Sequence, residues 1–353
     1  MEIAGNLTVG TRSLSKLLYI FASQLDSKIK TDSSLLRVTE ENMSIRLVDK
    51  DYQVRELVTD YISKLIDSEN SELISDGLLQ NAFALVLDPE AEVRAAALKL
   101  AMKTYSQKNQ RFFMMKAQLT TDTLHRLLGD SHSLVRMCAI DFLTCVVISL
   151  NVDTDNLYRA YLFAFDKGTL GALSADTECG VQLRLISLLE VLLASLFTVF
   201  SGIGRFCHNC NASLILGLMD LDLHKSLIAF TKNFLRLVRS NATDALVRLR
   251  PLAQMDQSAA TRTSSNFCVQ CKANQNPSRI GYVSVDLNCL HKSVANLVQD
   301  FGLHCDALDF DGLMESNKSE SVYGELFDPG LFTSTSVSSE LGDSAHINVL
   351  DCY

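Results

Sequence analysis

The sequence predicts an all-α protein, a HEAT-type α-solenoid followed by a long flexible C-terminal tail. A helical segment recurs at intervals of about 40 residues, which is the period of HEAT repeats. The chain has 353 residues with only four prolines and no tryptophan, and alternating β-branched runs are few, so helix is favoured over sheet. The last fifty residues are acidic, rich in serine and mostly polar, which is typical of a tail.

The repeat is clearest in three segments that share one template. An aspartate is followed by four residues, a valine, an arginine and an apolar helical run. The steps between the arginines are 39 and 42 residues. The three copies are Asp49–Val54–Arg55, Asp88–Val93–Arg94 and Asp130–Val135–Arg136. A looser fourth copy begins at Ala172, and there Arg184 follows Asp176 by eight residues.

The template has a structural interpretation. The aspartate is expected in the turn between two helices, where its side chain caps the second helix. The valine is expected to point into the stack. The arginine is expected to donate hydrogen bonds to the aspartate of a neighbouring repeat, forming a ladder between successive turns. We therefore assign these acidic and basic residues to the architecture rather than to a partner contact.

The chain is expected to have four parts. HEAT-like repeats occupy 1–253, a polar loop or disordered insertion 254–280, a final helical element 281–305, and an acidic, mostly extended tail with a terminal binding motif 306–353. The apolar run near Glu190 is predicted to be a buried helix. Its uncharged part is shorter than the roughly 20 residues that a membrane span needs, so no membrane association is expected.

Charge is unevenly distributed along the chain. The net charge of −9 comes from residues 306–353, which hold ten acids and one lysine, whereas residues 1–305 hold 31 acids and 31 bases. Without a basic region, direct nucleic-acid binding is not expected. Ten cysteines and no recognisable secretory leader indicate reduced thiols and a cytoplasmic and nuclear location.

The sequence contains no phosphate loop, dinucleotide fingerprint, nucleophile elbow or HExxH motif, so an enzyme is not expected. Two pairs of CxxC cysteines are a possible zinc site of the chain's own, although 57 residues separate the pairs. These are Cys207 with Cys210 and Cys268 with Cys271. A second possible ligand set near the end of the repeats consists of Cys289, His291, His304 and Cys305.

The chain ends on "NVLDCY", an apolar and reactive motif after a polar tail. Val349 and Leu350 form an apolar anchor. Asp351, the thiol of Cys352 and the terminal carboxylate of Tyr353 are three potential metal ligands within three residues. A thiolate is a strong zinc ligand, with a Zn–S distance of about 2.3 Å. The motif suits insertion into a deep cleft that contains a metal ion.

The "DYQVRELVTDYISKL" and "DPEAEVRAAALKLA" units, the acidic tail and the "LDCY" ending together resemble the BRCA-associated ATM activator family. The resemblance implies a HEAT-repeat partner of the Integrator RNA endonuclease, a zinc-dependent metallo-β-lactamase/β-CASP enzyme, with its inactive paralogue subunit as a further partner. It implies that Cys352 contacts the catalytic zinc of the nuclease. Asp351 and Tyr353 are then flanking contacts, and Val349 and Leu350 are groove contacts.

The resemblance thus implies a non-catalytic assembly factor that holds the nuclease inactive before nuclear delivery. The chain needs no cofactor of its own in this hypothesis, because the partner nuclease contributes the zinc. Two alternatives remain open. One is a general HEAT-repeat adaptor for trafficking or a large complex, with a passive tail. The other is a protein that binds its own zinc through the CxxC pairs.

Overall fold

A computed structural model describes residues 33–67, 74–106, 119–148, 161–162, 164–198, 215–254, 287–310 and 312–313. These residues are helical or lie in turns, and none of them is in a β-strand. The chain divides into two compact units. The first comprises residues 1–149 and 160–165, and the second comprises 150–159 and 166–353.

The described residues of the first unit form three helix pairs. They are α1 (Ser33–Arg46) with α2 (Tyr52–Asp67), α3 (Asp76–Ala84) with α4 (Ala91–Ser106), and α5 (Thr121–Leu128) with α6 (Ser133–Ile148). A 3-10 turn, Leu85–Leu87, follows α3. The second helix of each pair packs on the second helix of the next, α2 on α4 and α4 on α6. This stacking of helix pairs buries a continuous core that a single pair lacks.

In the second unit the described residues form two helix pairs and one further helix. The pairs are α7 (Lys167–Ser174) with α8 (Cys179–Phe197), and α9 (Leu223–Phe230) with α10 (Arg236–Ala253). Here too the second helices pack together, α8 on α10. The final helix, α11 (Leu287–Asp306), packs against α8, α9 and α10. The predicted all-α, HEAT-type α-solenoid is confirmed.

Local sequence explains where the short first helices begin. The side chains of Ser75, Thr120 and Asp166 each accept a hydrogen bond from the backbone N–H three residues later, at the start of α3, α5 and α7. These residues satisfy N–H groups that lack a partner inside the helix. The helices they begin are only eight or nine residues long. Packing against the longer second helices therefore supplies most of their stability.

The valine of the template is buried in every copy, as predicted. Val54 is 7% exposed, and Val93 and Val135 are fully buried. Val181 and Val238 occupy the same position in the two pairs of the second unit and are also fully buried. Removing each valine from water contributes on the order of 1.5–3 kcal/mol to folding.

The apolar helix α8 is long and hydrophobic enough to cross a membrane by length and composition alone. In the structure, 78% of its most apolar 18-residue window is buried inside the protein. Glu190 in this helix is buried, and it accepts hydrogen bonds from Arg248 of α10 at 2.6 and 2.8 Å. The prediction of a buried core helix is confirmed, and the pairing explains how a carboxylate is accommodated in it.

Candidate functional site

The predicted ladder of arginines and aspartates is present in the first unit. Arg55 donates from Nε and Nη2 to the two carboxylate oxygens of Asp88, both at 2.8 Å. Arg94 repeats the contact one step along, donating from Nη2 to Asp130 at 2.8 Å. All four side chains are at least 88% buried. Each bond joins one helix pair to the next, so the ladder holds the stack in register.

Each ladder residue also organises the turn of its own repeat. Nη1 of Arg55, Arg94 and Arg136 donates to the carbonyl oxygen of the aspartate six residues earlier, at 2.7 to 2.8 Å. The side chains of Asp49, Asp88 and Asp130 accept from the backbone N–H two residues later, at 2.9 to 3.0 Å. The aspartates therefore lie in the turns, as predicted, and close each turn just ahead of the second helix.

These hydrogen bonds stabilise the ionised carboxylates. The N–H of Asp51 lowers the pKa of Asp49, and this effect with that of Arg46 outweighs the opposing effect of burial. Burial by itself raises the pKa of Asp130, but the hydrogen bonds from Arg94 and from the N–H of His132 lower it further than burial raises it. Asp49 and Asp130 therefore favour the charged form near neutral pH.

The fourth copy of the template differs from its sequence prediction. Gln182, six residues after Asp176, takes the arginine position, and its side-chain amide donates to the Asp176 carbonyl oxygen at 2.7 Å. Arg184 lies on the exposed side of α8 instead. The assignment of Arg184 was wrong because the six-residue spacing, rather than the residue type, sets which side chain reaches the turn.

The structure also contains a fifth copy that the sequence analysis missed. Asn233 takes the aspartate position, and its side chain accepts from the N–H of Leu235 at 2.9 Å. Arg239 follows six residues later and donates to the Asn233 carbonyl oxygen at 3.0 Å. Asn233 also donates to the Gln182 side chain at 3.2 Å. The second unit thus has an uncharged ladder step, and asparagine in place of aspartate hid it.

Two apolar side chains are exposed beside the ladder of the first unit. Val48 directly precedes Asp49 and is 79% exposed, and Leu87 directly precedes Asp88 and is 50% exposed. One guanidinium, that of Arg55, contacts both turns. Val48 and Leu87 therefore lie on the same edge of adjacent repeats, which we call the ladder edge. Exposed apolar side chains that recur on one face are a feature of protein-binding surfaces.

The predicted terminal site lies outside the described residues. This applies to Val349, Leu350, Asp351, Cys352 and Tyr353. The polar segment 255–286, which contains Cys268 and Cys271, is likewise outside them, as is the segment with Cys207 and Cys210. The zinc hypotheses that rest on these residues stay predictions.

Part of the second predicted ligand set does lie in the described chain. Cys305 is buried, and burial raises the pKa of its thiol to about 11, so the neutral thiol is favoured in the core. His304 instead comes close to two residues that the sequence analysis did not select, His224 of α9 and Asp300 of α11. His291 and Cys305 do not join this group in the part of the chain that the structure describes.

The group centres on the carboxylate of Asp300. His224 Nε2 lies 2.8 Å from Asp300 Oδ2, and His304 Nδ1 lies 3.4 Å from Oδ1. The His224 side chain is 3% exposed, whereas Asp300 and His304 are about two-fifths exposed. Burial lowers the pKa of His224, and the hydrogen bond to Asp300 opposes this effect without reversing it. His224 is therefore neutral near pH 7. The Asp–His spacing of four in α11 was the one signal that sequence offered.

No family model and no curated protein matches the chain. Solved structures of engineered helical proteins are similar to it at low identity. A designed armadillo repeat protein has 15% identity and a TM-score of 0.44, over 74% of this chain and 98% of the designed one. Another, in complex with the peptide (KR)4, has the same values. An engineered protein has 13% identity and a TM-score of 0.46, over 74% and 98%. Similarity at this level identifies no function.

Proposed function

We propose that this chain is a non-catalytic binding and assembly factor for a zinc-dependent RNA endonuclease of the metallo-β-lactamase/β-CASP class. The observation that carries the proposal is the buried ladder of Arg55, Asp88, Arg94 and Asp130, which joins helix pairs into one scaffold. Stacked helical repeats present extended surfaces that bind other proteins. The resemblance to the BRCA-associated ATM activator family narrows the partner to the Integrator catalytic subunit, alone or with its inactive paralogue.

In this proposal the repeats dock the nuclease and the C-terminus enters the active site. Tethering raises the effective concentration of the tail at the cleft without adding a contact. The Cys352 thiolate takes the zinc position that the attacking water or hydroxide needs for phosphodiester hydrolysis. Asp351 and Tyr353 flank it, and Val349 and Leu350 occupy the groove that leads to the metal. The zinc belongs to the nuclease.

The negative charge of the tail supports its insertion into an RNA-binding cleft. The segment from Asp306 to Tyr353 accounts for the whole net charge of −9. A cleft that admits RNA is lined with positive charge, so an acidic tail complements it and competes with the phosphates of the substrate. The nuclease is then held loaded with metal and inactive until the tail withdraws. A factor with this role acts in the cytoplasm and nucleus.

The test uses the purified full-length chain with the purified nuclease. Cys352→Ala should weaken the complex and restore RNA cleavage, because the zinc position becomes available to water. Asn348→Ala, four residues earlier in the same tail, is the matched control and should leave both affinity and inhibition near the unaltered level. Equal affinity and equal inhibition for Cys352→Ala and the unaltered chain would exclude the proposed plug.

A deletion of residues 346–353 separates the scaffold from the plug. Binding should persist through the repeats while inhibition is lost. A general adaptor with a passive tail is the alternative that the helical-repeat fold also favours. A bulky tag fused to Tyr353 distinguishes the two, because it leaves an adaptor unaffected and prevents insertion of a plug.

A further inference from the structure

His224, Asp300 and His304 come from two helices of the second unit. His224 lies in the first turn of α9, and Asp300 and His304 lie one turn apart on α11. Asp300 and His304 therefore share a face of α11. That face meets α9, which α11 contacts directly. The fold thus brings together two imidazoles and one carboxylate, and the bonded pair, His224 and Asp300, is separated by 76 residues in the sequence.

The distances suit a single small ion. One ligand atom from each residue lies within 4.8 Å of the others. Asp300 Oδ2 lies 2.8 Å from His224 Nε2, and the His304 ring lies beside the same carboxylate, with its Nδ1 3.4 Å from Oδ1. Ligand atoms around a tetrahedral zinc with bonds near 2.1 Å are about 3.4 Å apart. Small side-chain rotations therefore bring all three groups to coordination distance.

The hydrogen bond made by His304 leaves one of its ring nitrogens available to a metal ion. The carbonyl oxygen of Asp300 lies 2.8 Å from His304 Nδ1, so Nδ1–H donates and the lone pair is on Nε2. A ligating histidine commonly donates its second ring N–H to a backbone carbonyl, and that bond sets its tautomer.

The buried ring of His224 is incompletely satisfied. Its Nδ1 is buried and has no hydrogen-bond partner among the described residues. Asp300 is thus the one polar partner that the ring has there. The ring nitrogen that would bind an ion beside Asp300 is therefore Nε2, which faces the Asp300 carboxylate at 2.8 Å.

The surroundings permit access by an ion. Asp300 and His304 are about two-fifths exposed, so one side of the group is open to solvent. The neighbouring cation, Lys225, is paired with Asp222 at 2.9 Å, which offsets its charge beside the group. Three protein ligands with an open fourth position bind zinc together with a water molecule.

We propose that His224, Asp300 and His304 bind a divalent transition-metal ion, zinc by its ligand chemistry, and that this ion fastens α11 to α9. Zinc accepts both imidazole nitrogen and carboxylate oxygen, whereas calcium and magnesium prefer ligand sets made of oxygen alone. The site belongs to the chain itself, uses no cysteine, and is independent of the proposed nuclease partner.

The experiment is a titration of the full-length chain, stripped of metal with a chelator, with Co²⁺ and then with Zn²⁺. Asp300→Asn and His304→Ala change partly exposed side chains outside the apolar core, so each variant should fold. Each should lose one equivalent of bound metal or bind it at least about tenfold more weakly. Subtracting the Co²⁺ absorption spectrum of a variant from that of the unaltered chain gives the spectrum of this site. That difference spectrum should lack the sulfur-to-metal charge-transfer band that cysteine ligands produce.

Asp306→Asn is the matched control, because Asp306 lies on the same helix and bonds to Arg250 rather than to a histidine. It should bind metal like the unaltered chain. Zinc should raise the melting temperature of the unaltered chain and of the control but not of the two ligand variants. Equal stoichiometry and affinity in all four proteins, or no binding by the unaltered chain at millimolar Co²⁺, would overturn the site and leave a hydrogen-bonded helix contact.

Discussion

The guanidinium of Arg55 and the carboxylate of Asp88 form two parallel hydrogen bonds of 2.8 Å between adjacent repeats. The same guanidinium donates to the carbonyl oxygen of Asp49, in the turn of its own repeat, at 2.7 Å. One side chain therefore fixes two turns relative to each other. The hydrogen bonds that Arg55 donates to the Asp88 side chain raise the pKa of Arg55, in keeping with a charge-assisted pair.

Arg55→Ala should destabilise the first unit by about 3 kcal/mol, because it leaves the Asp88 carboxylate buried without its cation. Arg55→Lys should recover only part of the loss, since an ammonium cannot make the two-pronged contact. Urea unfolding measures both. Arg46→Ala is the control, because Arg46 pairs with Asp49 at a more exposed position, and it should cost less than about 1 kcal/mol. Equal losses for Arg55→Ala and Arg46→Ala would contradict the ladder's role.

Stability should fall below about pH 4, because the pKa values of Asp49 and Asp130 are lowered in the folded chain. The unfolded state then binds protons first, so the contribution of each carboxylate is present above its unfolded pKa of about 3.9 and is lost as pH falls through the folded value. Asp130→Asn should be less stable than the unaltered chain at pH 6, and the difference should shrink at pH 3. Thermal melts of both proteins from pH 3 to 6 check this, and a constant difference would contradict it.

The uncharged ladder step of the second unit should be weaker than the charged steps. Gln182→Ala removes the bonds to the Asp176 carbonyl oxygen and the Asn233 side chain, and about 1 to 2 kcal/mol should be lost. Arg184→Ala, two residues along the same helix and exposed, should change stability by less than about 0.5 kcal/mol. A larger loss of stability for Arg184→Ala than for Gln182→Ala would favour the eight-residue spacing that the sequence suggested. Denaturant unfolding of the two variants decides the register.

Arg248→Ala should destabilise the second unit by about 3 kcal/mol, because it leaves the buried carboxylate of Glu190 without its partner between α8 and α10. The double variant Glu190→Leu/Arg248→Leu should recover much of that stability, since an apolar pair of similar volume has no buried charge to compensate. Chemical denaturation of the single and double variants measures the difference. A double variant no more stable than Arg248→Ala would show that the pair contributes more than compensation of charge.

Substitutions on the ladder edge test the docking surface of the proposed complex. Val48→Asp and Leu87→Asp place charge on exposed positions, so they should leave the stability of the chain within about 0.5 kcal/mol. Together they should weaken binding of the nuclease tenfold or more while a synthetic peptide of the C-terminal motif is unaffected. Phe234→Asp, on an exposed residue of the other unit, is the control. Unchanged affinity of the double variant would place docking on another surface.

Much of this architecture follows from local spacing in the sequence. The helical backbone largely fixes the distance between two residues that are six apart at a turn, such as Asp88 and Arg94. The contacts of the turn and the burial of Val93 can therefore be predicted from a single repeat. The fourth copy was predicted in the wrong register because its arginine, Arg184, lies two residues beyond the position that reaches the turn. The structure keeps the spacing and places Gln182 at the turn.

The sequence by itself determined the all-α class, the repeated helix pairs and the buried face of each second helix, since the 3.6-residue period and turn chemistry are local properties. Only the tertiary structure decided that Glu190 meets Arg248 and that His224 meets Asp300, 58 and 76 residues away. Such contacts depend on how helices pack against one another, and many packings are compatible with the same helical periodicity. A single sequence indicates which residues share one face of a helix, but it does not indicate which other helix packs against that face.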